Sequence, residues 1–218
     1  MIKCCIFDLD GTLFNTLPTI TYYVNKTIAA HGIAPITEDE CRGFVGHGAW
    51  HLIESTLASR GITDGGTVRA LLAEYNAAYN SDTLYLTALY GGVAELVAEL
   101  GGRGITLAIL SNKPDATVRD IVEKFFPREF TLVRGARDGT PLKPDPTALL
   151  DMARELGFAP SEIAYIGDTG IDVATGRAAG AGITVGVSWG FRDRAELEGA
   201  GADLIADEPS ELLSGVTK

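Results

Sequence analysis

The chain contains 218 residues, 46% of them hydrophobic, and carries a formal net charge of −11 at pH 7. This length and hydrophobic content allow a sizeable core, in one large domain or a domain with a smaller insertion, and argue against a disordered chain. The acidic excess argues against nucleic acid or an anionic membrane as the main partner, because both are bound through a surplus of lysine and arginine.

The first predicted element is a buried strand that ends in two carboxylates. The largely apolar stretch 2–7 is followed by Asp8 and, two residues later, by Asp10 and Gly11. In an extended chain, residues i and i+2 point to the same side, so Asp8 and Asp10 are expected to converge on one site. Folding alone gives no reason for two crowded carboxylates, whereas a bound divalent cation does.

Four helical patterns follow the first strand. Apolar residues recur at helical spacing over 20–31, 50–57 and 68–79, and each pattern predicts an amphipathic helix. Between the first two of these, Thr37 and Glu40 fit a capping box at the start of a further helix. The stretch therefore predicts a helical subdomain.

From residue 91 onward, helices alternate with short apolar strands. Strands are predicted at 105–110, 130–134, 163–166, 183–187 and 203–206, and helices at 91–100, 114–126, 145–157, 171–179 and after Pro209. This alternation implies a parallel sheet covered by helices on both faces. The predicted fold is an α/β doubly wound parallel sheet, with residues 1–14 and 86–218 as the core and residues 15–85 as a helical cap inserted after strand one.

Polar side chains are concentrated where the predicted strands end. In doubly wound sheets, ligands bind outside the carboxyl ends of the strands. The side chains at these ends, or in the loop before the helix at 145–157, are Asp8, Asp10, Ser111, Asn112, Lys143, Asp168 and Asp172. Four carboxylates, a hydroxyl group and a lysine are thus expected to share one rim.

These residues, in this order, resemble the four motifs of the haloacid dehalogenase superfamily, in particular its phosphatases. The resemblance implies that Asp8 is a nucleophile and Asp10 a general acid and base. It implies that Ser111, with the adjacent Asn112, and Lys143 bind the phosphate. The cap is similar to those placed between the first two motifs in this superfamily.

The same resemblance implies a Mg²⁺ cofactor. Its expected ligands are Asp8, the backbone carbonyl of Asp10, and Asp168, with Asp172 binding directly or through water. The chemistry agrees, because Mg²⁺ prefers oxygen ligands and an attacking carboxylate needs the phosphate charge neutralised. Lys113 competes with Lys143 for the phosphate role, and we rank it as peripheral.

The predicted cap contains one loop that bears on the substrate. Gly46-His47-Gly48 resembles the corresponding Gly-x-Gly stretch of phosphoglycolate phosphatases. The resemblance suggests that His47 and Gly48 contact the substrate, with His47 meeting a substrate carboxylate. An alternative reading places His47 on the surface of the cap.

The predicted activity is Mg²⁺-dependent hydrolysis of a phosphate monoester through an aspartyl-phosphate, with 2-phosphoglycolate as the favoured substrate. Pyrophosphatase, nucleotidase and sugar-phosphate phosphatase activities remain open, as does a phosphomutase resembling β-phosphoglucomutase. A receiver-like signalling module also phosphorylates an aspartate on a parallel sheet, but it explains neither the helical insertion nor the position of Asp8 on the first strand.

The remaining expectations concern compartment and partners. Cys4, Cys5 and Cys41 lack the spacing of a zinc site or a redox pair, so free buried thiols in a reducing compartment are expected. The apolar run before Asp8 is too short for a signal peptide, and no stretch approaches a membrane span. We expect a cytoplasmic monomer or homodimer that binds a small phosphorylated metabolite and neither nucleic acid nor membrane.

Overall fold

The computed structural model describes residues 1–216. Its strands are β1 (Cys4–Phe7), β2 (Phe14–Asn15), β3 (Ala88–Leu89), β4 (Thr106–Pro114), β5 (Leu132–Ala136), β6 (Ile163–Gly167), β7 (Ile183–Val187) and β8 (Leu204–Ala206). Six of them form one sheet in the order β5-β4-β1-β6-β7-β8, and every pairing in it is parallel. The predicted α/β fold with a parallel sheet is confirmed.

Helices account for most of the remaining chain. They are α1 (Leu17–Ala29), α2 (Glu38–Phe44), α3 (Ala49–Ala58), α4 (Gly65–Ser81), α5 (Val93–Gly102), α6 (Asp115–Phe125), α7 (Thr147–Leu156), α8 (Gly170–Ala179), α9 (Arg194–Ala200) and α10 (Pro209–Val216). Within residues 1–216, none of these helices is long and apolar enough to cross a membrane.

Strand β1 lies in the middle of the sheet, between β4 and β6. Successive side chains of a strand point to opposite faces, so Cys5 and Phe7 pack with α5, α6 and α10, while Cys4 and Ile6 pack with α7 and α8. Because β1 is buried on both faces, its carboxyl end is held rigidly at the centre of the sheet edge. Asp8 and Asp10, which follow this strand, are therefore held at a fixed position.

Helices α1–α4, here called the helical segment (residues 17–81), pack around a hydrophobic cluster of their own. Thr37 accepts a hydrogen bond from the Glu40 backbone, and the Glu40 side chain accepts one from the Thr37 backbone, so the predicted capping box is present. The antiparallel pair β2–β3 lies where the chain leaves the core and returns to it. The two connections to the core are therefore side by side.

The structure departs from the sequence-based elements most clearly at the end of β4, at the pair β2–β3 and at helix α9. Strand β4 runs on to Pro114 instead of ending at residue 110, because its pairing with β5 shifts register and resumes between Pro114 and Ala136. Gly135 permits this, since a Cβ there would lie 2.5 Å from the Lys113 carbonyl oxygen. The short pair β2–β3 and helix α9 were not predicted, because two-residue strands and a helix of seven residues give little periodic signal.

Candidate active site

The carboxyl end of β1 brings Asp8 and Asp10 to the edge of the sheet. The Asp8 backbone N–H donates to the Ile166 carbonyl at 2.8 Å, which continues the pairing of β1 with β6. Gly11 then turns the chain with a φ of +82°, and a Cβ at this position would lie 2.1 Å from Asp168 Oδ2. Glycine is therefore required here by both the backbone conformation and the close approach.

Three carboxylates meet beside this turn. One oxygen each of Asp8, Asp168 and Asp172 lies within 4.8 Å of the others, and all three residues are buried. At this separation each pair of ionised carboxylates repels by about 3 kcal/mol at an effective dielectric constant of about 20. Asp8 Oδ1 is buried and makes no hydrogen bond of normal geometry to another described residue. A compact set of oxygen donors with unbalanced negative charge fits a hard divalent cation such as Mg²⁺.

Lys143 supplies positive charge within this group. Its Nζ lies 3.0 Å from Asp8 Oδ1 and 2.6 Å from Asp172 Oδ1, and its side chain is 2% exposed. Burial alone lowers the pKa of Lys143, but the neighbouring carboxylates of Asp172 and Asp8 outweigh burial and hold this pKa well above its ordinary value. The ammonium is thus charged and fixed beside the predicted nucleophile.

The carboxylates are only partly balanced by that lysine. Burial raises the pKa of Asp8 to about 6, with Lys143 acting against this rise and Asp172 and Asp10 adding to it. Burial, followed by the charges of Asp172 and Asp8, also raises the pKa of Asp168 well above its ordinary value. Without a further cation, the site therefore disfavours full ionisation of its carboxylates.

Asp168 is held by two groups that were absent from the predicted site. Thr12 Oγ1 donates to Asp168 Oδ1 at 2.9 Å, and the backbone N–H of Phe191 donates to Asp168 Oδ2 at 2.8 Å. Asp172 occupies the third position of helix α8, where Thr169 caps the helix and donates to Asp172 Oδ2 at 2.7 Å. Both carboxylates are therefore oriented by hydrogen bonds, as metal ligands commonly are.

Asp10 has a different environment. Its Oδ1 accepts a hydrogen bond from Thr16 Oγ1 at 2.6 Å, and both of its carboxylate oxygens lie 3.2 Å from Lys113 Nζ. Lys113 is buried, and its Nζ also lies 4.3 Å from the centre of the Tyr79 ring. Lys113 therefore lies within the site, beside Asp10, while Lys143 lies beside Asp8, and the ranking of the two lysines for the phosphate role stays a prediction.

Ser111 and Asn112 lie side by side in β4, but their side chains differ in availability. Ser111 Oγ accepts a weak bond from Lys113 N at 3.3 Å, and its hydroxyl proton has no acceptor among the described residues. Asn112 donates from Nδ2 to Gly46 O at 2.9 Å and to Lys143 O at 3.0 Å, and its Oδ1 accepts from Lys143 N at 2.8 Å. Both donors of the Asn112 amide are thus used to position Lys143 and Gly46. The expectation that Asn112 takes part in phosphate binding stays a prediction.

A cleft of about 660 Å³, counting its part open to solvent, lies between the helical segment and these residues. Asp8, Asp10 and Ser111 lie on its core side, and Gly48 is also in contact with it. His47 is not among the lining residues: it is exposed, and its ring centre lies 4.9 Å from that of His51. The expected contact of His47 with a substrate carboxylate stays a prediction. Desolvation, followed by the charges of His51 and Arg192, lowers the pKa of His47 and favours its neutral form.

Some of the residues missed above do leave a signal in the sequence. Thr169 and Asp172 have the spacing of a capping box ahead of a predicted helix, which would have assigned Thr169 its role. Thr12 directly follows the Asp8-Leu9-Asp10-Gly11 motif and is a natural donor to a neighbouring carboxylate. Phe191 leaves no signal, because its contribution to Asp168 comes from the backbone N–H that nearly every residue carries.

Comparison with known proteins gives a consistent result. The sequence profile of the haloacid dehalogenase-like hydrolases matches residues 5–185. A phosphoglycolate phosphatase from Rhodospirillum rubrum is 34% identical over 218 residues, which cover 97% of this chain and 90% of that protein. An N-acetylmuramic acid 6-phosphate phosphatase from Pseudomonas aeruginosa is 33% identical over 215 residues, covering 97% of this chain and 93% of that protein.

Solved structures show the same similarity at the level of the fold. A protein named by prediction as a phosphoglycolate phosphatase, from Lactobacillus delbrueckii subsp. bulgaricus, matches with a TM-score of 0.92 and 27% identity, covering 98% of each chain. A haloacid dehalogenase-like family hydrolase from Streptococcus pneumoniae matches with a TM-score of 0.86 at 24% identity, covering 98% of each chain. These matches span the parallel sheet and the helical segment together.

Proposed function

The chain belongs to the haloacid dehalogenase-like hydrolases and is a phosphatase of that family, and from this premise we propose that it hydrolyses a phosphate monoester through an aspartyl-phosphate formed on Asp8, with Mg²⁺ as its cofactor. The observation that supports this proposal is the position of Asp8: it lines the cleft, pairs with Lys143, and belongs to the cluster of three buried carboxylates.

In the first step, a carboxylate oxygen of Asp8 attacks phosphorus in line with the leaving oxygen. The bond between phosphorus and that oxygen breaks, and Asp10 donates a proton to the departing alkoxide. Lys143 and the Ser111 hydroxyl bind the phosphoryl oxygens and stabilise the charge that shifts onto them. The products of this step are the free alcohol and the phosphorylated Asp8.

In the second step, Asp10 accepts a proton from a water molecule that attacks the phosphorus of the aspartyl-phosphate. The acyl phosphate bond breaks, inorganic phosphate leaves, and Asp8 is regenerated as a carboxylate. Asp8, Asp168 and the Asp10 backbone carbonyl would hold Mg²⁺, with Asp172 binding it directly or through water. When bound, the ion supplies charge neutralisation for the phosphate dianion.

The helical segment acts as a cap in this proposal. Residues 15–85 would close over the core (residues 1–14 and 86–218) by movement at the two adjacent connections near β2 and β3. Closure would exclude bulk water from the first step and bring the cleft-lining surface of the helical segment into contact with the leaving group. The expected partner is a small phosphorylated metabolite, bound by a monomer or homodimer.

Two substrates are proposed for the first tests. 2-Phosphoglycolate follows from the names of several relatives, including the one from Rhodospirillum rubrum. A bulkier sugar phosphate is the second candidate, because Tyr75 and Asn76 line the cleft and their side chains make no hydrogen bond to another described residue. Such groups suit hydroxyl or amide groups of a leaving group. Leu52 and Val45 add apolar surface beside them.

The test is a panel of phosphate compounds assayed for phosphate release with Mg²⁺ and with EDTA. It includes 2-phosphoglycolate, N-acetylmuramic acid 6-phosphate, glucose 6-phosphate, pyrophosphate and a nucleoside 5′-monophosphate. Asp8→Asn should abolish turnover and retain the folded circular-dichroism spectrum, while the exposed Asp138→Asn variant should behave as the wild type. Turnover by Asp8→Asn would refute the nucleophile assignment. Conversion of a sugar phosphate to its isomer without phosphate release would instead indicate a phosphomutase.

A further inference from the structure

We propose that residues 189–192 connect the helical segment to the candidate metal ligand Asp168, with Phe191 and Arg192 as positioning residues. These residues form the loop between β7 and α9 and belong to the core. The inference goes beyond the proposed function, because it states that docking of the helical segment and Mg²⁺ binding at Asp168 influence each other. Four sets of contacts support it.

Arg192 binds the end of a helix on the other side of the cleft. Its guanidinium donates to the Arg42 carbonyl and, at 3.1 Å, to the Val45 carbonyl. Both carbonyls lie at the carboxyl end of α2, where the last four carbonyls of a helix lack partners and the helix dipole favours a cation. Arg192 thus caps α2 from the core, and its side chain is only 17% exposed.

Phe191 contacts both parts of the molecule with different atoms. Its side chain is buried in the hydrophobic cluster of the helical segment, and among residues 1–216 it is the one core residue that is a buried member of that cluster. Its backbone N–H donates to Asp168 Oδ2 at 2.8 Å. One residue therefore joins the interior of the helical segment to a carboxylate of the candidate metal site.

The loop has little freedom to move independently of Asp168. A Cβ on Gly190 would lie 2.3 Å from Asp168 Cβ and 2.4 Å from the Gly11 carbonyl oxygen, so the backbone passes in direct contact with the site. Trp189 Nε1 donates to the Thr12 carbonyl at 3.0 Å, which ties the start of the loop to the turn after β1. A displacement of the helical segment that moves Phe191 would therefore disturb the hydrogen bond to Asp168.

A second contact from the core holds residues 42–46 of the helical segment, which Arg192 also binds. Asn112 donates to Gly46 O, four residues after Arg42, and it also holds the backbone of Lys143. Residues 42–46 are thus bound by two core groups, one next to the phosphate-binding lysine and one next to Asp168. If docking favours the metal-binding arrangement of Asp168, Mg²⁺ must favour docking by the same factor, because coupling between two binding equilibria is reciprocal.

The experiment compares Arg192→Ala with Arg194→Ala as a matched control. Arg194 is two residues away and pairs with Asp207 and Glu198 on the surface. Calorimetric titration with MgCl₂ in the absence of substrate should show Mg²⁺ affinity weakened about 5-fold or more in Arg192→Ala and unchanged in Arg194→Ala. Arg192→Lys, which keeps the charge and one donor group, should recover part of the affinity.

Hydrogen exchange provides the reciprocal measurement. Mg²⁺ should slow exchange of the amides in residues 42–48 of the wild-type protein by about 5-fold or more, and this slowing should be lost in Arg192→Ala. With an ester that is turned over, Arg192→Ala should lower kcat/KM by about 10-fold, chiefly through KM, because substrate binding must then also order the helical segment.

Two results would overturn the proposal: unchanged Mg²⁺ affinity in a folded Arg192→Ala variant, or exchange in residues 42–48 that does not respond to Mg²⁺ in the wild type. If Arg192→Ala does not fold, Arg192→Lys and Arg192→Gln carry the same comparison. Neither the titration nor the exchange measurement needs turnover. Failure of every ester in the substrate panel would therefore count against the proposed function and leave this coupling to be decided separately.

Discussion

Replacing Lys143 by methionine removes the ammonium from the carboxylate cluster and keeps a side chain of similar length. In the wild type, Lys143 Nζ lies 3.0 Å from Asp8 Oδ1 and 2.6 Å from Asp172 Oδ1, and the side chain is 2% exposed. In Lys143→Met, the three clustered carboxylates, which include Asp168, lose their adjacent cation. The folded protein then has to hold buried negative charge without compensation or take up protons.

The expected cost follows from this burial. Removing one partner of a buried ion pair costs about 3–5 kcal/mol, because the remaining charge stays desolvated. For a chain of this size, 1 kcal/mol corresponds to about 2–4 °C in Tm, so Tm should fall by about 6–20 °C in metal-free buffer. Mg²⁺ at 100 times its Kd stabilises a folded protein by about 2.7 kcal/mol, and it should therefore restore a large part of the loss.

The measurement is thermal and urea unfolding followed by circular dichroism at pH 7.5, once with EDTA and once with MgCl₂. Lys124→Met serves as the control, because Lys124 is an exposed lysine of α6. A loss below about 1 kcal/mol in EDTA, comparable to a surface substitution, would refute the view that Lys143 balances a buried carboxylate cluster. Failure of Mg²⁺ to stabilise Lys143→Met would refute the assignment of that cluster as a cation site.

Three further predictions concern the same turn and the helical segment. In metal-free protein the pKa of Asp8 is raised to about 6, so as pH rises this carboxyl group ionises in the unfolded chain before it ionises in the folded protein. The free energy of unfolding of the wild type, measured in urea, should therefore fall relative to that of Asp8→Asn between about pH 4 and pH 6. Gly11→Ala places a Cβ 2.1 Å from Asp168 Oδ2 at a backbone φ of +82°. It should lower the free energy of unfolding by more than about 1 kcal/mol and weaken Mg²⁺ binding measured by calorimetry, and unchanged Mg²⁺ binding would contradict the packing argument. Thr37→Ala removes the cap that bonds Glu40 N and should cost about 1 kcal/mol in urea unfolding, whereas Thr37→Ser should cost less.

The fold was largely predictable because its signals are local. Strand β7 has the predicted bounds, and helix α7 lies between the predicted opening at Asp145-Pro146 and the predicted stop at Gly157. The end of β4 was not predictable, because its extension to Pro114 depends on a register shift against β5, a partner distant in sequence. Lys113 lies within this shifted stretch, and its Nζ contacts Asp10.

The candidate site was predictable to the extent that strand ends determine position. Asp8, Asp168 and Asp172 come together as a strand-end rule predicts, and Lys143 reaches them from the loop before α7. Asn112 illustrates the limit of that rule: its position was predicted, but the partners of its amide were not. Two of those partners are backbone atoms of Lys143, and the third is the carbonyl of Gly46.

The hydrogen bonds that Arg192 and Asn112 make to the helical segment share a feature that explains why the sequence does not reveal them. Arg192 and Asn112 bind the carbonyl oxygens of Arg42, Val45 and Gly46, and not their side chains. Nearly any residue offers the same carbonyl, so the side chains of this loop can change without loss of the docking contacts. Under the proposed function, a cap attached in this way can vary the surface it presents to a leaving group while the core keeps one arrangement of Asp168 and Lys143. This separation of docking from recognition fits a family in which relatives of similar identity to this chain are named for substrates as different as 2-phosphoglycolate and N-acetylmuramic acid 6-phosphate.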